Sequence, residues 1–398
     1  MDLKVGIVGA TGLVGKSILN FLVNDPTLQL HNIKICASDS MIGQTINVTS
    51  MISAKCLINQ SNQSNQSNQS TQSIQSDQVD ELTIEMEKLS DIFFENLDVV
   101  FFCADDDTSI KWIPVAVNNG SFIIDSSSAF RTNPNVNLII PEINGHLIKP
   151  IETNKSFQID FSTKLNQYYL ENNNTKPLSN IVASPNCCAT LLCMVLYPLT
   201  KLENIIRVDV DTYQAVSGAG KAGIAELTNQ TIEYANNQNL TKNKFKSQIY
   251  ANCFSHNSEI DPNTKYCEEE LKITNETKKI IPNIKEVSAT CVRIPVYTSH
   301  SLSVTIFFEN SVDEKDVVEC LTSFAGLTVL DDFTNNQFPE PIIASNQTDV
   351  FVGRIRKDLY GDGKIYKLFI CGDQLLKGAS WNSFQIFKTY QKSIQDFL

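Results

Sequence analysis

A strand that runs straight into a glycine turn and out into a helix fixes the first layer of this chain. Leu3-Lys4-Val5-Gly6-Ile7-Val8 reads as a buried strand. Gly9-Ala10-Thr11-Gly12-Leu13-Val14-Gly15 follows, and Lys16 to Val23 carries helical spacing. Glycines at such a turn let the backbone approach a pyrophosphate, which then sits on the helix N-terminus. The spacing is GxxGxxG rather than GxGxxG, a variant whose support is the strand before it and the helix after it. The bland alternative is a plain strand-to-helix turn. On the nucleotide reading, Gly9, Thr11, Gly12, Leu13 and Val14 contact the cofactor. A second strand over Leu30–Ala37 ends at Ser38, Asp39 and Ser40, where an adenine ribose would lie. An acidic residue there accepts from a 2′-hydroxyl, whereas an Arg receives a 2′-phosphate. Asp39, with no Arg beside it, leans toward NAD.

The alternation continues through buried strands at Asp98–Ala104, Gly120–Asp125 and Asn180–Ala183, with a short strand at Leu138–Asn144. This is the pattern of a Rossmann-like α/β domain. Two stretches interrupt it. Residues 59–78 are near-repeats of Ser, Asn and Gln that cannot bury apolar surface, and about 151–176 is a second Asn- and Thr-rich insertion. Asp105-Asp106-Asp107 opens a helix and reads partly as capping. Beyond residue 200, Ile205–Ala215, Val287–Val296, Ser301–Phe308 and Lys367–Cys371 form long strands that suggest a mostly antiparallel sheet. A final helix spans Leu375 to about Asp396.

The last strand of the first domain delivers Ser184-Pro185-Asn186-Cys187-Cys188 to an apolar helix. Asn186 is a good N-cap, so Cys187 falls in the first helical turn, at the positive end of the dipole. That placement favours the thiolate. The alternative is a small buried hydrophobe, the usual state of a free cysteine. Eleven cysteines lie scattered, with no CxxC pair and no zinc-type spacing, which fits reduced thiols in a cytoplasmic protein and no metal site. The net charge of -12 and the absence of a Lys/Arg cluster argue against nucleic acid. The strand pattern begins at Leu3, which leaves no room for a signal peptide, and no apolar run reaches membrane-span length. Individual cations therefore matter. Arg131 follows a hydroxyl-rich turn at a strand end, placed like an anion ligand or else a surface residue. His300 stands alone between two strands.

Several motifs in order resemble aspartate-semialdehyde dehydrogenase over nearly the whole chain, the two insertions excepted. These are Pro185-Asn186-Cys187, Tyr213 through Gly220 (Tyr-Gln-Ala-Val-Ser-Gly-Ala-Gly), Glu269-Glu270-Leu271-Lys272, Arg293 with His300 seven residues on, and Ser127 through Arg131. The resemblance implies a Rossmann-like dinucleotide-binding domain joined to an α+β catalytic and dimerisation domain. The first would be residues 1–186, completed by helix 375–398, and the second residues 187–374. It implies Cys187 as nucleophile, His300 as proton shuttle and Gln214 as the residue that orients the acyl group. Arg293 would take the substrate carboxylate and Glu269 its ammonium, although Glu268 and Glu270 compete for that role. Arg131, Lys272 and Asn186 would hold phosphate. The bland reading of Glu269 and Lys272 is an exposed helical ion pair. Ser217, Gly218 and Gln374 would face the nicotinamide side.

The implied reaction is the NADP-dependent reductive dephosphorylation of L-aspartyl 4-phosphate to aspartate semialdehyde, in lysine, threonine, methionine and diaminopimelate biosynthesis. The implied assembly is a homodimer or homotetramer. Three departures stand out: the missing 2′-phosphate Arg beside Asp39, Asp105-Asp106 where glycines are common, and Cys188 in place of Ser. Two alternatives remain open at this stage. One is another acyl-phosphate reductase, such as N-acetyl-γ-glutamyl-phosphate reductase, and the other is an inactive nucleotide-binding regulatory homologue.

Overall fold

The computed structural model describes residues 3–38, 41–49, 81–151 and 180–397. The low-complexity segment 59–78, residues 152–176 of the second insertion, and Asp39 lie outside the described residues. In chain order the first part contains β1 (Val5–Val8), α1 (Leu13–Val23), β2 (Ile33–Cys36), β3 (Thr45–Thr49), β4 (Glu81–Glu87), β5 (Val99–Phe102), α2 (Asp106–Asn118), β6 (Phe122–Asp125), β7 (Asn137–Leu138), α3 (Pro141–Asn144) and β8 (Ile181–Ala183). The strands order as β3-β4-β2-β1-β5-β6-β8-β7. All pairings are parallel except β3 with β4. β1 is flanked by β2 and β5, so strand order reverses beside it. A crevice at such a switch point is where α/β sheets hold nucleotides.

The second part contains α4 (Cys187–Leu199), β9 (Ile205–Gln214), α5 (Gly220–Ala235), β10 (Phe254–Ser255), α6 (Glu268–Ile280), β11 (Glu286–Arg293), β12 (His300–Phe308), α7 (Glu314–Ser323), β13 (Leu327–Val329), α8 (Pro341–Ala344), β14 (Val350–Lys357), β15 (Ile365–Gly372) and α9 (Trp381–Phe397). Seven strands order as β10-β11-β9-β12-β15-β14-β13. The pairings are antiparallel except β11 with β9 and β13 with β14. Alternating burial along β9 and β11 gives one face to the core.

α4 joins the two parts. Apart from Cys187 and Tyr197 its residues are buried, and they share one core cluster with strands of both sheets. Burying Leu191, Leu192 and Leu196 contributes about 1.5–3 kcal/mol each, which fixes the helix whose first turn carries Cys187. α9 returns to the first sheet, where Tyr390 stacks on Phe122 at 3.9 Å between ring centroids.

Three elements differ from the sequence reading. The strand expected over Leu138–Asn144 ends at Leu138, because Pro141 starts a helical turn at a position suited to its fixed φ and missing N–H. The second strand begins at Ile33, after a 3₁₀ turn over Leu30–Asn32. The last helix does not run on from Leu375: a π-helical turn, Leu376–Ser380, precedes it. That turn carries Lys377 inward, where its fully buried Nζ donates to Glu142 Oε2 at 2.6 Å and Gln385 Oε1 at 2.8 Å.

Candidate active site

β8 ends at Ala183, and Ser184 N–H still pairs with Asp125 O of β6 at 2.8 Å, so the sheet itself aims the next residues. Asn186 then caps α4. Its Oδ1 accepts from Cys188 N at 2.9 Å and Ala189 N at 3.2 Å, and its own N–H donates to Glu276 Oε2 at 2.5 Å. Cys187 is half-buried at the first turn and Cys188 fully buried. The two sulfurs and a His300 ring nitrogen all lie within 4.8 Å of one another. A hydrogen bond from the Cys188 thiol, with a further one from His300, holds the Cys187 thiol well below its ordinary value against the opposing effect of burial. Burial and the neighbouring Cys187 push Cys188 the other way. Burial also raises Cys36, Cys103 and Cys371 to about 12.

Mildly acidic iodoacetamide should therefore alkylate Cys187 ahead of these thiols, with the rate holding as pH falls below the usual thiol range. Peptide mapping by mass spectrometry reads this directly. Labelling of Cys187 only above the ordinary thiol pKa would contradict the geometry.

Cys187 lines two clefts. The first, of about 420 Å³, is also lined by Gln214, His256, Glu269, Arg293 and His300, with Lys244 and Lys246. The three consecutive glutamates separate by helical phase. Glu269 Oε1 accepts from Asn186 Nδ2 at 2.9 Å and Gln214 Nε2 at 3.0 Å. Glu270 closes the N-terminus of α6 on Cys267 N and also accepts from Cys291 N. Glu268 pairs with Lys272 at 2.7 Å, half-exposed. Lys272 is thus held by Glu268 and is not part of either cleft's lining. Burial pushes the Glu269 carboxyl up. Hydrogen bonds from the Asn186 and Gln214 amides and the charge of Lys272 work against burial, and the group lies below its ordinary value, hence ionised.

Gln214 Nε2 also donates to Cys188 Sγ at 2.9 Å. Arg293 Nη1 donates to Ala215 O at 2.6 Å, Nη2 meets His256 Nε2 at 2.7 Å, and Nε is buried with no partner. Ala215 N–H donates to His300 Nδ1 at 3.0 Å, which puts the neutral ring's own proton on Nε2. His300 starts β12 directly after Ser299, a non-glycine residue at φ +72°. Gln374 Oε1 accepts from Ser299 N at 2.8 Å and so holds that turn.

The second cleft, about 260 Å³, is lined by Gly12, Leu13 and Val14 of the glycine turn, by Ser217, Gly218, Gln374 and Gly378, and by Arg131 and Cys187. Gly9 has φ +86°, and a Cβ there would stand 2.6 Å from Cys103 O. A Cβ on Gly378 would stand 2.8 Å from Cys187 Cβ, and one on Gly218 3.2 Å from His300 Nε2. No side chain caps α1, so its first-turn N–H groups keep no side-chain partner at Gly12. These residues fit a dinucleotide with its pyrophosphate on α1 and its nicotinamide beside Cys187. Thr11 contributes its carbonyl, which accepts from Lys221 Nζ at 2.6 Å. Ser38 closes the turn after β2 through a 2.9 Å bond from Met41 N to its carbonyl.

The acidic pair that would repel a pyrophosphate is engaged elsewhere. Asp105 caps α2 through Thr108 N, and Asp106 accepts from Ser128 N and Oγ. Arg131 Nη2 donates to Ser126 O at 2.9 Å, Nη1 lies 3.4 Å from Glu276, and Nε is a buried orphan.

Sequence reasoning missed His256, Lys244 and Lys246, and it gave no individual role to Lys221, Glu276 or Gly378, which it read only within longer segments. The first three stand in no spaced motif, and only chain closure brings them to the site.

A cysteine shared between a nucleotide crevice and a polar cleft with a histidine and an arginine is the layout of a dehydrogenase. The family models agree. Residues 4–151 match the semialdehyde dehydrogenase NAD-binding domain and residues 196–377 the semialdehyde dehydrogenase dimerisation domain. The chain is 34% identical over 384 residues to the aspartate-semialdehyde dehydrogenase of Rickettsia conorii, covering 96% of each. It is 31% identical to that of Bacillus subtilis, covering 98% of each. It is also similar to the crystal structure of aspartate semialdehyde dehydrogenase II from Vibrio cholerae, at 26% identity and a TM-score of 0.78, covering 98% of this chain and 99% of that one. The chain belongs to the aspartate-semialdehyde dehydrogenase family. Among the described residues no helix is long and apolar enough to cross a membrane.

Proposed function

We propose that this chain interconverts L-aspartyl 4-phosphate and L-aspartate 4-semialdehyde with an NAD(P) cofactor, a step toward lysine, threonine, methionine and diaminopimelate. The observation that carries the reading is that Cys187 faces both the nucleotide crevice and the cleft of His300, Gln214, Glu269 and Arg293. The similar Vibrio cholerae enzyme, solved complexed with ASA, supports the same substrate.

In the biosynthetic direction Cys187 Sγ attacks the acyl carbon. A C–S bond forms, the C–O bond to phosphate breaks, and phosphate leaves. A bound nicotinamide supplies the hydride that the thioester accepts. His300, through Nε2, holds or moves the proton at the oxygen of the resulting thiohemiacetal. The C–S bond then breaks, releasing aldehyde and the Cys187 thiolate. Arg293 grips the α-carboxylate and Glu269 the α-ammonium. Gln214, tied to Glu269 and Cys188, orients the acyl group. Arg131, with its unpartnered Nε, is the anchor for phosphate. Lys272 is proposed beside it on the resemblance alone, since here it pairs with Glu268. Asn186 contributes by fixing the nucleophile's turn and Glu269.

For the cofactor we propose NADP on the strength of the resemblance. Asp39 and the missing Arg favour a second reading, NAD. Purified protein with aspartate semialdehyde, phosphate and each cofactor tests both at once, read as absorbance of the reduced nicotinamide. A higher kcat/KM with NADP supports the first reading, and a higher one with NAD the second. No turnover with either sinks the enzyme reading, and turnover only of N-acetylglutamate semialdehyde moves the chain to the other reductase.

We further propose that residues 1–186 with 375–398 act as the nucleotide unit and 187–374 as the catalytic and dimerisation unit of a homodimer. Light scattering should give twice the chain mass of 44.4 kDa. A monomer at assay concentration would contradict the assembly.

A further inference from the structure

We infer that His256 is a positioning residue, a neutral imidazole that pins the Arg293 guanidinium so that its remaining donors face the substrate. This rests on the reading of Arg293 as the carboxylate ligand. Arg293 is 4% exposed, and its two Nη atoms are held by Ala215 O at 2.6 Å and His256 Nε2 at 2.7 Å. A guanidinium has no acceptor, so the imidazole nitrogen must accept. Two donors compete for the ring, Arg293 Nη2 at 2.7 Å from Nε2 and the Ser258 backbone N–H at 3.3 Å from Nδ1. The shorter, charge-assisted contact governs, so the ring's proton sits on Nδ1 and is donated to Ser258 Oγ at 3.0 Å. The same Oγ accepts from Glu269 N–H at 3.2 Å. One short chain, Glu269 N–H to Ser258 to His256 to Arg293, thus ties the group facing the substrate ammonium to the group facing its carboxylate. Two fixed anchors set the guanidinium plane. With one lost, the planar fork is free to swing, and a bidentate grip depends on that plane.

Protonation of His256 would break the arrangement. Nε2–H would then face Nη2 donor to donor at 2.7 Å, with like charges opposed. The groups around the ring are Glu269 on α6, Arg293 on β11, Cys187 on α4, His300 on β12, and Lys244 and Lys246 in the same cleft. Burial lowers the imidazole first. Glu269 and Cys187 pull it up, Arg293 and His300 push it down, and the net result lies below the ordinary histidine value. The neutral form therefore prevails at neutral pH and is lost as pH falls.

The test measures KM for aspartate semialdehyde and kcat separately, at saturating cofactor and phosphate, for the wild type, His256→Leu, His256→Gln and Arg293→Ala. His256→Leu should raise KM about 10- to 100-fold with kcat changed far less, because one hydrogen bond to a charged group is lost. His256→Gln, whose Oε1 can accept from Nη2, should recover most of that loss. The wild-type KM should rise as pH falls through the acid range, and His256→Gln should flatten that limb while leaving the limb in kcat. Equal behaviour of Leu and Gln, or a KM in His256→Leu within about twofold of wild type, would overturn the inference. If Arg293→Ala also leaves KM unchanged, the carboxylate reading itself fails. If Arg293→Ala is damaging and His256→Leu is not, only the role of His256 fails.

Discussion

Replacing Cys187 with Ala should lower kcat by at least about 10⁴-fold, because in the proposed mechanism the residue supplies the bond through which the acyl group is held between its two half-reactions. Cofactor affinity should change little. The glycine turn that lines the nucleotide cleft is built by Gly9, Gly12 and α1, and none of these depends on the sulfur. Cys187→Ser is expected to be nearly as inactive. The helix N-terminus and His300 can hold a thiolate, but they cannot bring a serine hydroxyl to the same state. Cys188 does not substitute: it is fully buried, burial pushes its thiol up, and its sulfur already accepts from Gln214. Steady-state rates and cofactor titration on the same preparations separate loss of chemistry from loss of fold.

The second large effect is expected at His300. His300→Asn keeps an acceptor for Ala215 N–H in the place of Nδ1 but removes Nε2, the nitrogen proposed to carry the movable proton. kcat should fall about 10²- to 10⁴-fold, the range for loss of a positioned acid–base group. KM for the semialdehyde should move less, since Arg293 and Glu269 are untouched. A second readout follows from the same contact. His300 helps hold the Cys187 thiol down, so its removal should shift the pH profile of Cys187 alkylation to higher pH. A variant with normal kcat, or with reduced kcat and an unmoved alkylation profile, would show that His300 does not act on the nucleophile.

Much of this site was legible before folding, for a physical reason. The glycine turn, the Asn186 cap and the apolar run of α4 are local, and local features leave contiguous signals in sequence. Cys187 at a helix N-terminus and the strands around Tyr213–Gly220 belong to this class. What was not legible is set by long-range closure. Glu276 lies 90 residues from Asn186 and His256 lies 37 from Arg293, and neither pair carries a spacing that would announce it. Glu268, Glu269 and Glu270 are equivalent as letters. Helical phase alone sends one to Lys272, one to Asn186 and Gln214, and one to the helix cap. Asp105 and Asp106 are two more carboxylates as letters; the hydrogen bonds they accept from Thr108 and Ser128 are set by the fold. The π-helical turn was hidden for a related reason. Leu375 onward has ordinary helical periodicity, and the buried pairing of Lys377 with Glu142, across 235 residues, overrides it.

The central claim is that Cys187 carries the acyl group as a thioester. Its most direct test is to mix the enzyme with aspartate semialdehyde and oxidised cofactor in the absence of phosphate, quench in acid, and map the adduct by mass spectrometry. One aspartyl group on the Cys187 peptide, released when phosphate is added, is the predicted result. Turnover with no adduct on Cys187, or turnover that survives Cys187→Ala, would contradict it.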